Sequence, residues 1–208
     1  MCTFYKQDRG KAERWFRKKN TRGKAEPAGM ESVRPTHLAP VVTSSRLLED
    51  MSWGFRRRFK LASGKPSAWK PVVNSRDDKL ASPIWREAFA ERRCIVPVSE
   101  FYEWSGPAGA KTTHRFRHPQ EELLWVAGVW EPSAEFGNCY SMITTLPNRE
   151  VGRVHDRMLV VLMPDEIDRY LDGGDFKDFH RPDGILEVAS GVPNPLQRTQ
   201  PPSQGELF

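Results

Sequence analysis

Cys94-Ile95-Val96-Pro97-Val98-Ser99-Glu100-Phe101-Tyr102-Glu103-Trp104 reads as β-structure throughout, because β-branched and aromatic residues suit a pleated, half-buried surface. Immediately before it, Ser82-Pro83 followed by Ile84, Trp85, Ala88 and Phe89 supplies an N-cap, a proline at the first helical position and an apolar i, i+4 face. Arg92-Arg93 closes that helix where its dipole favours cations. Residues 123–130, 140–145 and 158–163 repeat the strand composition, so four strands are predicted after the helix. A second short helix is predicted over 164–171, stopped by Gly173-Gly174. Strands joined by hairpin-sized gaps, with few helices, predict an α+β domain: a mixed, largely antiparallel sheet with a barrel-like core and short flanking helices.

On the N-terminal side, residues 38–42 and 68–73 are short extended segments whose prolines exclude a helix interior. The first forty residues mix glycine, proline and basic side chains, with one short amphipathic turn around Trp15-Phe16. Residues 1–192 read as one domain, and the Pro- and Gln-containing segment 193–208 as a poorly ordered tail. A chain of 208 residues with 38% hydrophobic and 28% charged residues is apolar enough to fold. It has no apolar run of the roughly 20 residues that a membrane helix needs, and no signal-peptide stretch, so a cytoplasmic protein without membrane contact is expected. Cys2, Cys94 and Cys139 form no CxxC pair, consistent with a reducing compartment. A net charge of +5 favours a polyanionic partner.

Cys2 carries the most position-dependent chemistry. Removal of Met1 would leave an amine and a thiol on adjacent carbons, a 1,2-aminothiol that condenses with an aldehyde to an imine and then closes to a thiazolidine. An α-amino group titrates near 7.7–8.0 against about 10.4 for lysine, so its neutral fraction at pH 7 is larger by roughly a few hundredfold. Taken alone, Cys2 reads first as an incidental residue near a chain end. Glu103 lies between Tyr102 and Trp104 on a strand whose alternation puts it on the face of Phe101. If covered, its carboxyl would titrate toward neutrality; if not, it is a solvated glutamate. His155 precedes an apolar segment at a junction suited to a cleft, where an imidazole can move protons. Asn74-Ser75-Arg76 closes an extended segment and in isolation reads first as a turn with a solvated arginine. His114 and His118 are spaced i, i+4 but lack the glutamate of an HExxH site, and neither a metal nor a cofactor is expected. Trp53 followed by Arg56, Arg57 and Arg58, with Trp69 beyond, joins rings to guanidinium groups as single-strand binding requires, or else forms a solvated loop.

The order of these pieces resembles one family. Met-Cys at the start, Trp-Gly-Phe, Asn-x-Arg before a helix, Arg-Arg-Cys-Ile-Val-Pro leading to Phe-Tyr-Glu-Trp, then Ala127-Gly128-Val129-Trp130, Ile143-Thr144-Thr145 and His155-Asp156-Arg157-Met158 together look like the SRAP family of SOS response-associated peptidases, over residues 2–192. The resemblance implies a monomeric sensor of abasic sites in single-stranded DNA. In it the mature N-terminal Cys2 forms a thiazolidine crosslink that shields the lesion in the DNA damage response. It also implies catalytic roles for Asn74, Glu103 and His155, with Arg76 and Arg157 gripping phosphates. Thr3-Phe4, Leu159 and the basic stretch between Trp53 and Trp69 depart from the family pattern. Strand incision by β-elimination from the imine is a possible side activity. Two further functions stay open: a Cys2-dependent peptidase or autopeptidase, and a non-enzymatic single-stranded nucleic-acid binder.

Overall fold

The computed structural model describes residues 2–19, 29–179 and 183–197. Strand β1 (Tyr5–Asp8) runs directly into helix α1 (Arg9–Lys19). There follow β2 (Met30–Val33), β3 (Leu38–Thr43), β4 (Leu48–Trp53), the hairpin strands β5 (Phe55–Arg57) and β6 (Lys70–Val72), and β7 (Asn74–Arg76). Helix α2 (Arg86–Glu91) precedes β8 (Arg93–Val98), β9 (Glu100–Ser105), β10 (Thr112–Arg117), β11 (Leu124–Glu131) and β12 (Cys139–Thr145). The chain continues through β13 (Met158–Leu159), β14 (Val161–Leu162), α3 (Ile167–Leu171) and β15 (Glu187–Ser190). Among the described residues no helix is long and apolar enough to cross a membrane.

The fold is α+β, as expected. Strands β4, β3, β8, β11 and β12 pair in turn, and the parallel β12–β4 contact closes the ring into a barrel. Strand β7 adds to β12 in parallel, and β13 and β14 add to β12 and β11. A second, five-stranded antiparallel sheet runs in the order β15-β10-β9-β1-β2. Alternation along the barrel strands separates two cores. Val96, Val126 and Met142 face Tyr5, Phe101 and Phe116 of the second sheet. Ile95, Ala127 and Ile143 cluster with Phe16, Ala88 and Tyr170 of the three helices.

Residues 94–104, predicted as one strand, form two. Val98 is still paired with Leu124 in the barrel, whereas Glu100 is paired with Lys6 in the second sheet. The switch is at Ser99, whose N–H donates to the Lys6 carbonyl at 2.9 Å. The segment 158–163 also divides, because Val160 bonds across to Ile143 and Ala127 and so bridges β12 and β11. Helix α2 starts later than predicted: Ser82 accepts from Trp85 and Arg86 in a turn, and Trp85 occupies the cap. Arg93 does meet the helix end, donating to the Phe89 carbonyl at 3.0 Å and to those of Tyr170 and Gly174. The turn around Trp15-Phe16 is part of a full helix, α1. The tail expected over 193–208 lies outside the described residues from 198 onward.

Gly54 allows the β5–β6 hairpin to fold back close to β4. Its φ is +109°, and a Cβ there would fall 2.6 Å from that of Pro71. Asn74 is thereby delivered beside β12 immediately after the hairpin.

Candidate active site at the chain start

The register of β1 and β9 sets the site. Tyr5 is paired with Phe101, and the Tyr102 N–H donates to the Phe4 carbonyl at 3.2 Å. Antiparallel pairing therefore carries Thr3 and Cys2 along toward Glu103, two residues further along β9. Cys2 is 1% exposed, with its thiol donating to the Phe4 carbonyl at 3.3 Å. Asn74 reaches it from β7: Nδ2 donates to the Cys2 carbonyl at 2.8 Å, while the buried Oδ1 has no hydrogen-bond partner.

Charge ties the remaining groups to the same place. Burial pushes the Cys2 thiol far above its ordinary value, and the Glu103 carboxylate adds to that. Burial raises the Glu103 carboxyl to about 7, against the opposing pull of the chain's α-amino group. His155 is held below its ordinary value, first by burial and then by the same α-amino charge. Its imidazole is neutral near pH 7, and Nδ1 lies 2.8 Å from an Asp156 carboxylate oxygen and 3.1 Å from the Arg157 backbone nitrogen. A 3-10 turn, Val151–Arg153, sets the loop, and the His155 N–H closes it on the Val151 carbonyl. Asn74 and Glu103, 72 and 101 positions from Cys2 in sequence, thus come to it in space, and His155 interacts electrostatically with the chain's α-amino group.

The arginines flank this site in pairs with acids that the sequence did not single out. Arg157 is buried, and its Nη2 donates to Asp77 Oδ1 and to the Thr144 carbonyl, both at 2.6 Å. Thr145 donates to the other Asp77 oxygen at 2.5 Å. Arg76 is exposed and grips Asp78 with a two-pronged contact at 2.9 and 2.8 Å. The only sequence signal for Asp77 and Asp78 was adjacency to Arg76.

The expected stacking surface is corrected. Trp53 is fully buried, edge-on to Tyr5 at 5.0 Å between centroids, parallel to Tyr140, and donating Nε1–H to the Val73 carbonyl. No base reaches a ring enclosed in the core. Arg56 turns back onto the Gly54 carbonyl and Ser52, and Arg57 holds Glu131 through two hydrogen bonds of 2.6 and 2.7 Å. Arg58 and Trp69 are exposed on the hairpin, the guanidinium carbon 4.6 Å from the ring centroid. His114 and His118, the weak zinc candidate, engage local partners: Ser105 and Ser190 for His114, and the N–H groups of Gln120 and Glu121 for His118.

Comparison with known proteins fits this geometry. A family model described as SOS response associated peptidase (SRAP) matches residues 1–191. The "Abasic site processing protein YoqW" of Bacillus subtilis is 31% identical over 107 residues, 49% of this chain and 48% of that one. The "Abasic site processing protein HMCES" of Gallus gallus is 29% identical over 156 residues, 62% of this chain and 46% of that one. The chain spans about half the length of the curated relatives it matches. An X-ray structure of a protein from Bordetella bronchiseptica superposes with a TM-score of 0.71 at 25% identity, covering 91% of this chain and 99% of that one. Another, from Bacteroides thetaiotaomicron, has a TM-score of 0.69 at 17% identity, covers 91% of each chain and shares the fold. Since the family match runs from the first residue through β15 and takes in every residue gathered around Cys2, the chain belongs to the SOS response associated peptidase (SRAP) family.

Proposed function

We propose that this protein captures abasic sites in single-stranded DNA covalently through Cys2, shielding the lesion. With Met1 removed, the Cys2 amine attacks the aldehyde carbon of the ring-opened deoxyribose, water leaves, and an imine forms. The thiol then adds across the C=N bond. Sulfur bonds to carbon, the thiol proton ends on nitrogen, and the five-membered thiazolidine is closed. The balance needs no oxidant and no cofactor.

The observation that carries this reading is the convergence on Cys2. Asn74 holds its carbonyl at 2.8 Å, and the Glu103 carboxylate acts on its thiol. A carboxyl titrating near 7 is matched to taking a proton from the amine and returning it to the departing hydroxyl at neutral pH. His155, neutral and on a loop, serves the proton transfer that opens the closed sugar at its ring oxygen. Asn74 Oδ1, buried without a partner, is free to accept from the terminal amine or a sugar hydroxyl. Arg76, Arg157, Arg58 and Trp69 are the groups proposed to meet the strand. The buried thiol stays protonated at neutral pH, which favours amine attack first and disfavours a thiolate peptidase. The names of the abasic site processing relatives support the same substrate.

The test is intact mass after incubation with single-stranded DNA bearing one abasic site. The expected product lacks Met1 and carries the DNA mass less one water. Cys2→Ala forming the same heat-stable adduct overturns the mechanism, as does a purified protein that lacks Met1 and forms no adduct.

A further inference from the structure

The two arginines proposed to grip phosphates are both engaged by carboxylates of a single turn. Asp77 and Asp78 open the 3-10 turn Asp77–Lys79 directly after Arg76, and each takes one guanidinium. The two contacts differ in kind. Asp77 is fixed from three directions: Arg157 Nη2 at 2.6 Å, Thr145 Oγ1 at 2.5 Å and the Asp78 N–H at 2.9 Å. Arg157 is itself buried and also bonded to the Thr144 carbonyl, so this pair is part of the framework. Asp78 makes no such network. Its contact with Arg76 is a bidentate fork between side chains that are about half exposed, 48% and 51%.

The carboxylate takes the Nε/Nη2 edge of the guanidinium, one of its two bidentate edges, and its negative charge opposes a phosphate approaching either edge. An exposed pair of this type is weak and screened by salt, so a phosphate can displace it. We infer that Asp78 is an affinity-setting residue, a built-in anion that competes with a DNA phosphate for Arg76. The inference rests on the proposed DNA reading and adds to it a residue outside the reacting groups. Physically, the exchange swaps one anion for another on a fixed cation. It weakens retention on undamaged strands and leaves covalent capture by Cys2 to provide the lasting attachment.

The experiment is equilibrium binding of undamaged single-stranded oligonucleotide to wild type, Asp78→Asn, Arg76→Gln and the double variant, across a salt series. Asp78→Asn is expected to tighten binding by roughly two- to fivefold at low salt, the scale of an exposed ion pair. In the Arg76→Gln background the same change is expected to do nothing. Arg76→Gln alone should reduce the slope of log K against log salt by about 0.7, one phosphate contact on a single strand. Equal tightening in both backgrounds overturns the inference, since Asp78 would then act only through net charge; so does no tightening in wild type. Wild type that fails to bind single strands at any salt, with native far-ultraviolet circular dichroism, overturns the DNA reading instead.

Discussion

Asn74 Nδ2 donates to the backbone carbonyl of Cys2 at 2.8 Å, joining residues 72 positions apart at a buried point. The bond holds the chain start against β7, and β7 is in turn registered on β12 with Asn74 opposite Met142. The position of Cys2 is therefore set by β7, a strand added to the barrel, as well as by β1, which follows it.

Asn74→Ala should cost about 1–2 kcal/mol of stability, because a buried carbonyl loses its donor. Crosslinking to abasic DNA is expected to slow by at least about tenfold, as the terminal group is no longer held in one geometry. Urea denaturation and single-turnover gel assays measure the two effects. A rate unchanged within twofold would show that Asn74 is not needed to place Cys2.

Glu103 makes stability pH-dependent in a specific direction. Its carboxyl titrates near 4.5 when exposed and at about 7 in the folded protein, so between those values the folded state binds the extra proton. Stability attributable to this residue is undiminished below about 4.5, falls as pH rises to about 7, and is then constant. Glu103→Gln should therefore stabilise the protein at pH 8, by an amount on the order of a few kcal/mol, and much less near pH 4.5. The same variant should flatten the rise in crosslinking rate around pH 7. Denaturation midpoints and rates across pH check both.

Trp53→Ala and Trp69→Ala should separate core from surface. Loss of the enclosed Trp53 ring creates a cavity and is expected to destabilise by about 3–5 kcal/mol. Trp69 is 42% exposed, so its removal should shift stability by less than about 1 kcal/mol while weakening single-strand binding. Thermal denaturation and fluorescence anisotropy distinguish the pair. A mild Trp53→Ala variant with reduced DNA affinity would reverse this assignment.

Arg157→Gln leaves Asp77 with Thr145 but without its cation. Breaking a largely buried ion pair from one side is expected to cost on the order of 3 kcal/mol. Arg157→Gln/Asp77→Asn should recover part of that loss, because no unpaired charge remains. Urea unfolding of the two single variants and the double variant gives the coupling. Full additivity would mean that the pair is not a structural unit.

Part of the proposed site could be read from the linear chain because its chemistry is local. A cysteine at position 2 becomes an aminothiol only if Met1 is removed, and the alternation of Phe101-Tyr102-Glu103-Trp104 put Glu103 on the same face as Phe101, whereas its burial was decided by the fold. Composition determined that residues 94–104 are β, that a helix ends near Arg93 and that the fold is α+β, since these depend on near neighbours. Only the tertiary structure decided which sheet each half of that stretch joins, because the partner strand changes at Ser99 through a bond to Lys6. Burial was likewise decided in three dimensions. Trp53 and Trp69 stand in similarly basic surroundings along the chain, yet Trp53 is enclosed by Tyr5 and Tyr140 while Trp69 is exposed on the hairpin. The carboxylate on Arg157 followed the same rule: a charge's partner depends on distance in space, and the Asp77–Arg157 pair spans 80 residues of sequence, whereas Asp78 lies two residues from Arg76.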